Sequence, residues 1–204
     1  MDQTLLKNSI KHLAQDQKLK ILINKHPIPK FSTNTNYFDA LSKSIIYQQL
    51  SGKVAKIIYV RFLSLFEKKN PTPNQYLKLP ISTFRDIGLS KQKINYIRNL
   101  SKFFIAQNNQ YQFKNDSDQK IYSQLIEIKG IGQWTIDMFM MFTLCKPDIL
   151  PVGDLGIKKA FKKLYNLEEL PSKSFMENKS LNWRPYRTIA CCYLWMLIDE
   201  GDVW

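Results

Sequence analysis

The chain has 204 residues and is 44% hydrophobic, enough for one compact domain or two small lobes with a substantial core, which excludes a disordered chain. Thirty Lys and Arg against 17 Asp and Glu leave a net charge of +13. A surplus of that size favours a polyanionic partner, because each cation that neutralises a phosphate releases counterions, although a basic surface kept for solubility has the same composition. Cys145, Cys191 and Cys192 form neither a metal-ligand spacing nor a disulfide framework and read as core thiols in a reducing compartment.

Met1-Asp2-Gln3-Thr4 lacks a signal-peptide layout, and no apolar run approaches the roughly 20 residues that span a bilayer. The expectation is a cytoplasmic protein with no membrane partner. In chain order, Thr4 to Ile23 reads as one amphipathic helix, carrying Leu5, Ile10, Leu13 and Leu19 and stopping before His26-Pro27-Ile28-Pro29. His12 and His26 have no companion ligands and are not expected to bind metal.

Helix resumes near Tyr37 with Phe38, Leu41, Ile45 and Ile46 at helical spacing; Ser51-Gly52 then bends the chain before a helix from Lys53 to Phe66. Pro71 and Pro73 mark a loop, and two short helices separated at Pro80 follow. Ser90 caps a helix whose inner face is Ile94, Ile97, Leu100 and Phe104. After the polar loop Gln107 to Asp116, a helix is predicted from Asp118 to Ile128, another from Gln133 to Leu144, and a last one from Tyr186 to Ile198. No strand is predicted, and repeated helix-turn-helix units define an all-α chain.

Between the two middle helices stands Ile128-Lys129-Gly130-Ile131-Gly132-Gln133-Trp134-Thr135. Gly-x-Gly between helices makes a tight turn, and its backbone N–H groups can also reach a phosphate with no Cβ in the way. Asp154 follows 22 residues after Gly132, after a proline-bounded loop and at the N-cap of a helix through Tyr165. That helix has one apolar stripe (Ile157, Ala160, Phe161, Leu164) and a cationic side (Lys158, Lys159, Lys162, Lys163). Asp154 is therefore a cap. It is also a carboxylate that the helix dipole and first-turn N–H groups favour in charged form, suited to facing a developing cation. The rival carboxylate, Asp137, lies inside a helix, where a structural hydrogen bond or solvation is the simpler role.

Leu125 to Thr135, Pro151 to Ile157 and the earlier Ser44-Ile45-Ile46-Tyr47-Gln48-Gln49-Leu50-Ser51-Gly52-Lys53 together resemble the helix-hairpin-helix DNA glycosylases, most closely the 3-methyladenine DNA glycosylase II, or alkylation-repair, group. The resemblance runs from about Tyr37 to Glu200. It implies a two-lobed, all-α helix-hairpin-helix glycosylase fold with the active site in the cleft between lobes, one lobe covering residues 37–117 and the hairpin-bearing lobe residues 1–36 with 118–204.

By position, the resemblance makes Asp154 the catalytic aspartate and Lys129, Gly130, Ile131, Gly132, Gln133 and Thr135 a DNA-binding hairpin. The carbonyls of Ile126, Ile128 and Ile131 would hold a monovalent Na+ or K+; no cofactor is required. Trp134, Met138 and Trp195 would line the base pocket, although core packing explains Trp195 equally. Gln48, Gln49 and Ser51 would touch DNA, although a polar helix end is an equal explanation. Leu89, in the Gly88-Leu89-Ser90 turn, is the candidate wedge that fills the duplex after base extrusion, with Lys91 as alternative. The partner would be double-stranded DNA containing alkylated bases, and the chain a monomer.

The departures from the family pattern carry information. Relatives that also cut the backbone place a lysine immediately before the hairpin threonine; here that position is Trp134, which implies base removal without strand cleavage. The four-cysteine iron-sulfur cluster of other branches has no ligands here, and the β-rich domain of larger bacterial enzymes is not expected before Tyr37. The activity implied is a monofunctional glycosylase in base excision repair that flips out alkylated purines, of 3-methyladenine or 7-methylguanine type, and hydrolyses the N-glycosylic bond. Two alternatives stay open: a non-catalytic helix-hairpin-helix DNA-binding module, and a protein-interaction domain whose basic 154–165 helix meets an acidic partner.

Overall fold

A computed structural model describes residues 1–31, 34–108 and 113–198, leaving aside the side chain of residue 114. Among these residues the chain forms twelve α-helices and three short 3-10 turns, with no strand. The helices are α1 (Gln3–Leu13), α2 (Gln17–Lys25), α3 (Tyr37–Tyr47), α4 (Gly52–Ser64), α5 (Pro73–Lys78), α6 (Ile81–Asp86), α7 (Lys91–Ala106), α8 (Asp118–Ile126), α9 (Gln133–Phe142), α10 (Leu155–Tyr165), α11 (Lys173–Lys179) and α12 (Arg187–Ile198). They fall into two compact units, residues 34–139 and residues 1–33 with 140–204.

The predicted helix from Thr4 to Ile23 is two helices. Asp16 accepts the backbone N–H groups of Lys18 and Leu19 and so caps a new start at Gln17. Helix α11 was not predicted. It is seven residues long and mostly polar, and Ser172 starts it by accepting the N–H of Phe175.

In the unit of residues 34–139, α7 packs against α3 and α5. Its core is aromatic. Phe38 meets Tyr76 and Phe104 edge-on, Tyr76 stacks on Phe84 at 4.3 Å, and the buried Tyr76 hydroxyl donates to the Ile94 carbonyl at 2.8 Å. Each such ring removes enough apolar surface from water to stabilise the unit by about 2–3 kcal/mol. Residues 118–139 cluster with residues 34–117 because Phe139 packs on Phe113 and Tyr37.

In the other unit α12 is the central helix, packed on α10, α2 and α1 and buried at every position from Thr188 to Trp195. Buried Trp183 donates its indole N–H to Asp16 at 2.9 Å, so the residue that starts α2 also ties α2 to the core. Cys191 and Cys192 are buried, and burial pushes the Cys192 thiol up to about 12, so it stays protonated as a core residue. Among the described residues no helix is long and apolar enough to cross a membrane.

Candidate active site

The hairpin lies in the unit of residues 34–139. Its two glycines are there for different reasons. Gly130 has φ +106°, and a Cβ on it would stand 2.1 Å from Tyr96 Cγ, so the backbone conformation and the close approach of α7 both require glycine. Gly132 has no such φ, and a Cβ there would meet nothing within 4 Å. The protein itself does not demand glycine at 132, which leaves the first turn of α9 open to an approaching group.

The side chains expected at this interface divide sharply. Lys129, Gly132 and Gln133 are exposed, but the Gln133 amide donates to Asp137 at 3.0 Å, and Asp137 is itself buried, a structural carboxylate. Ile131 is buried, and its N–H closes the turn on the Ile128 carbonyl at 2.9 Å. Thr135 is 1% exposed and receives the Gln48 amide at 2.9 Å; the same nitrogen donates to the Gly130 carbonyl at 3.0 Å. Half-buried Gln48 and buried Thr135 therefore face each other.

The next residues are placed differently. Gln49 adopts a left-handed φ of +57°, and Ser51 is exposed at the start of α4 with its side chain making no capping bond. Leu89, the expected wedge, is a correction: it is 4% exposed and lies in the core, because the positive φ of Gly88 (+98°) turns the chain inward after α6. Lys91 is exposed at the first position of α7. On α9, Trp134 is half-buried and Met138, one turn on, is buried and packs into the core.

Asp154 lies in the other unit as the N-cap of α10, in extended backbone, half-buried. Its Oδ1 accepts two bonds, the Ile157 N–H at 2.8 Å and the Trp195 indole N–H at 3.0 Å. The sequence left Trp195 between a wall for the base and a core residue. The structure puts its polar edge on the carboxylate, with the ring 5.8 Å from that of Phe142 and only 5% of the residue exposed.

Gly156, to which sequence reasoning gave no role, makes this possible. A Cβ on it would stand 3.0 Å from both Asp154 Oδ1 and the Trp195 indole, so any larger residue presses the pair apart. A hydrogen bond to a charged acceptor contributes about 1.5–3 kcal/mol, enough with the cap bond to hold one carboxylate rotamer. Leu155, immediately after Asp154, is exposed.

Among the described residues no cluster of His, Cys, Asp or Glu is arranged to hold a metal ion. The three carbonyls of Ile126, Ile128 and Ile131 are neutral oxygen donors of the kind hard cations take. That of Ile128 already accepts one hydrogen bond and keeps a second lone pair.

This chain belongs to the HhH-GPD superfamily of base excision DNA repair proteins, whose family model matches residues 42–185, a span holding the hairpin and Asp154 and ending before Trp195. It is 29% identical over 202 residues, 95% of this chain and 70% of the relative, to the putative DNA-3-methyladenine glycosylase YfjP of Bacillus subtilis. Among solved structures it is similar to the 3-methyladenine DNA glycosylase Mag1 of Schizosaccharomyces pombe in complex with abasic DNA, with a TM-score of 0.84 and 28% identity over 93% of this chain and 95% of that one. It is also similar to a DNA-3-methyladenine glycosidase of Bacillus halodurans, with a TM-score of 0.75 and 36% identity over 92% and 87% of the two chains.

Proposed function

We propose that this protein removes alkylated purines from double-stranded DNA by hydrolysing the N-glycosylic bond, and does not cut the backbone. The observation that carries the reading is the Asp154 carboxylate, fixed at a helix N-terminus by the Ile157 N–H and the Trp195 indole, in a chain of the base excision repair family. A purine alkylated at a ring nitrogen is cationic. When its bond to C1′ breaks, the electron pair neutralises the base and leaves positive charge on the sugar. An oriented anion is the group best suited to stabilise that charge and to hold the water whose oxygen bonds to C1′ as its proton passes to solvent.

The remaining parts follow. Backbone N–H groups at the hairpin and the first turn of α9 would bind a phosphate, with Gly132 allowing its close approach; Na+ or K+ on the carbonyls of Ile126, Ile128 and Ile131 would add positive charge beside it. Exposed Lys129 and the Gln49–Ser51 turn would add contacts to the duplex. Half-buried Trp134 would offer a π face to the cationic base. Trp134 stands where a lyase carries its Schiff-base lysine, so this position would offer no amine to attack C1′.

The products test this reading. Incubated with methylated duplex DNA, the protein is expected to release free purine while the strand stays intact until alkali is added, and borohydride is expected to trap no covalent complex. Strand breaks without alkali, or a trapped adduct in appreciable yield, would overturn the Trp134 argument.

A second prediction concerns Trp195. Trp195→Phe keeps most of the ring volume and removes the N–H, so release under single-turnover conditions should slow roughly tenfold, the equivalent of about 1.4 kcal/mol of lost stabilisation in the transition state. An unchanged rate would show that the indole bond to Asp154 has no part in the chemistry.

A further inference from the structure

One side chain joins the end of α3 to the hairpin. Gln48, the first residue past α3, donates its amide nitrogen to the Gly130 carbonyl and to the Thr135 hydroxyl at 3.0 and 2.9 Å. A carbonyl oxygen only accepts, so the orientation of the amide is determined, and both N–H groups are used within the protein. The helix end that carries Gln48 is clamped in turn. Lys93 Nζ donates to the carbonyls of Ile46 and Gln48, each at 2.8 Å. From the same helix as Lys93, Asn99 donates to the Lys129 carbonyl at 3.2 Å, and the Tyr96 ring occupies the space beside Gly130.

We propose that Gln48 is a positioning residue for the hairpin's grip on DNA, one that holds the Gly130–Thr135 backbone in its binding geometry before DNA arrives and ties it to the Gln49–Ser51 turn. The proposal rests on the reading of the hairpin as a phosphate grip. Without the brace the turn samples more conformations when free, and ordering it on binding costs affinity. Once DNA is bound the turn is ordered again, so the chemical step is unaffected. A residue that reads DNA directly would behave differently, since its loss would weaken binding and leave the free hairpin as it was.

Three measurements on Gln48→Ala and, as a second variant acting on the other side of the same bond, Thr135→Val test this. Hydrogen exchange of the amides of residues 130–134 in the DNA-free protein should quicken in both variants. The dissociation constant for duplex DNA should rise roughly tenfold, with the double variant no worse than the poorer single one. The saturating single-turnover rate should stay within about twofold of wild type, so the loss appears in half-saturation and not in the maximal rate. Unchanged exchange in both variants overturns the proposal, as does quickened exchange with unchanged affinity. Reduced affinity with unchanged exchange assigns Gln48 to direct DNA contact instead. If the wild-type protein does not bind duplex DNA, the reading of the hairpin as a phosphate grip fails, and this proposal fails with it. The exchange result then still shows whether the brace exists.

Discussion

Asp154→Asn should abolish most base release while leaving the protein folded and able to bind DNA. Asn is as good an N-cap as Asp, and its carbonyl oxygen can still accept from Ile157 and Trp195, the two donors on Oδ1. The substitution therefore removes the charge and keeps the geometry. Stability should stay within about 1 kcal/mol of wild type, and single-turnover release of alkylated purine should fall roughly 10²- to 10³-fold, the scale on which one preorganised electrostatic group contributes. Asp154→Ala is the contrasting case. It loses the cap as well, costing about 0.5–2 kcal/mol, so a fall in activity there does not separate charge from fold.

The hairpin glycines carry the second large effect, and they should separate. Gly130→Ala forces a side chain into a φ of +106° and against the Tyr96 ring; the combined cost is about 2–4 kcal/mol. The melting temperature should fall by roughly 5–15 °C, and DNA affinity with it, because the turn and its hydrogen bond from Gln48 are displaced together. Gly132→Ala meets no atom of the protein. Its melting temperature should be unchanged while duplex affinity falls roughly tenfold, the Cβ standing where a phosphate would approach. Thermal melts and DNA titrations on the two variants check both statements. Equal affinity for Gly132→Ala and wild type would remove the open first turn of α9 from the DNA-binding surface.

Much of this was legible in the residue order, for reasons particular elements make plain. Helix α10 is written three times over: a capping Asp154, an apolar stripe at Ile157, Ala160 and Phe161, and lysines on the other side, and it begins and ends where those signals place it. Helix α12 is apolar nearly all round and is accordingly buried all round. The α1–α2 break was missed because apolar residues continue on both sides of it with no proline or glycine between them, while the deciding signal was one capping side chain, Asp16.

At the site, the carboxylate could be found from its local context, but its hydrogen-bond partner could not. Trp195 lies 41 residues further along the chain, and nothing local says that its N–H reaches Asp154. The glycine that admits it, Gly156, was in view beside Asp154 and carried the available hint. Gln48 and Leu89 show how little a local pattern says of a side chain's partners. The Gln48 amide bonds to the hairpin 82 and 87 residues further on, and Leu89, an apolar residue in a turn, is buried in the core.

The most direct test measures the free 3-methyladenine and 7-methylguanine released from methylated duplex DNA by the wild-type protein and by Asp154→Asn under single-turnover conditions. Both bases should accumulate with wild type, and release by the variant should be lower by roughly 10²-fold or more, although both proteins bind the duplex. No release by wild type would leave only a helix-hairpin-helix DNA-binding module, and equal release by the two would show that Asp154 is a helix cap and nothing more.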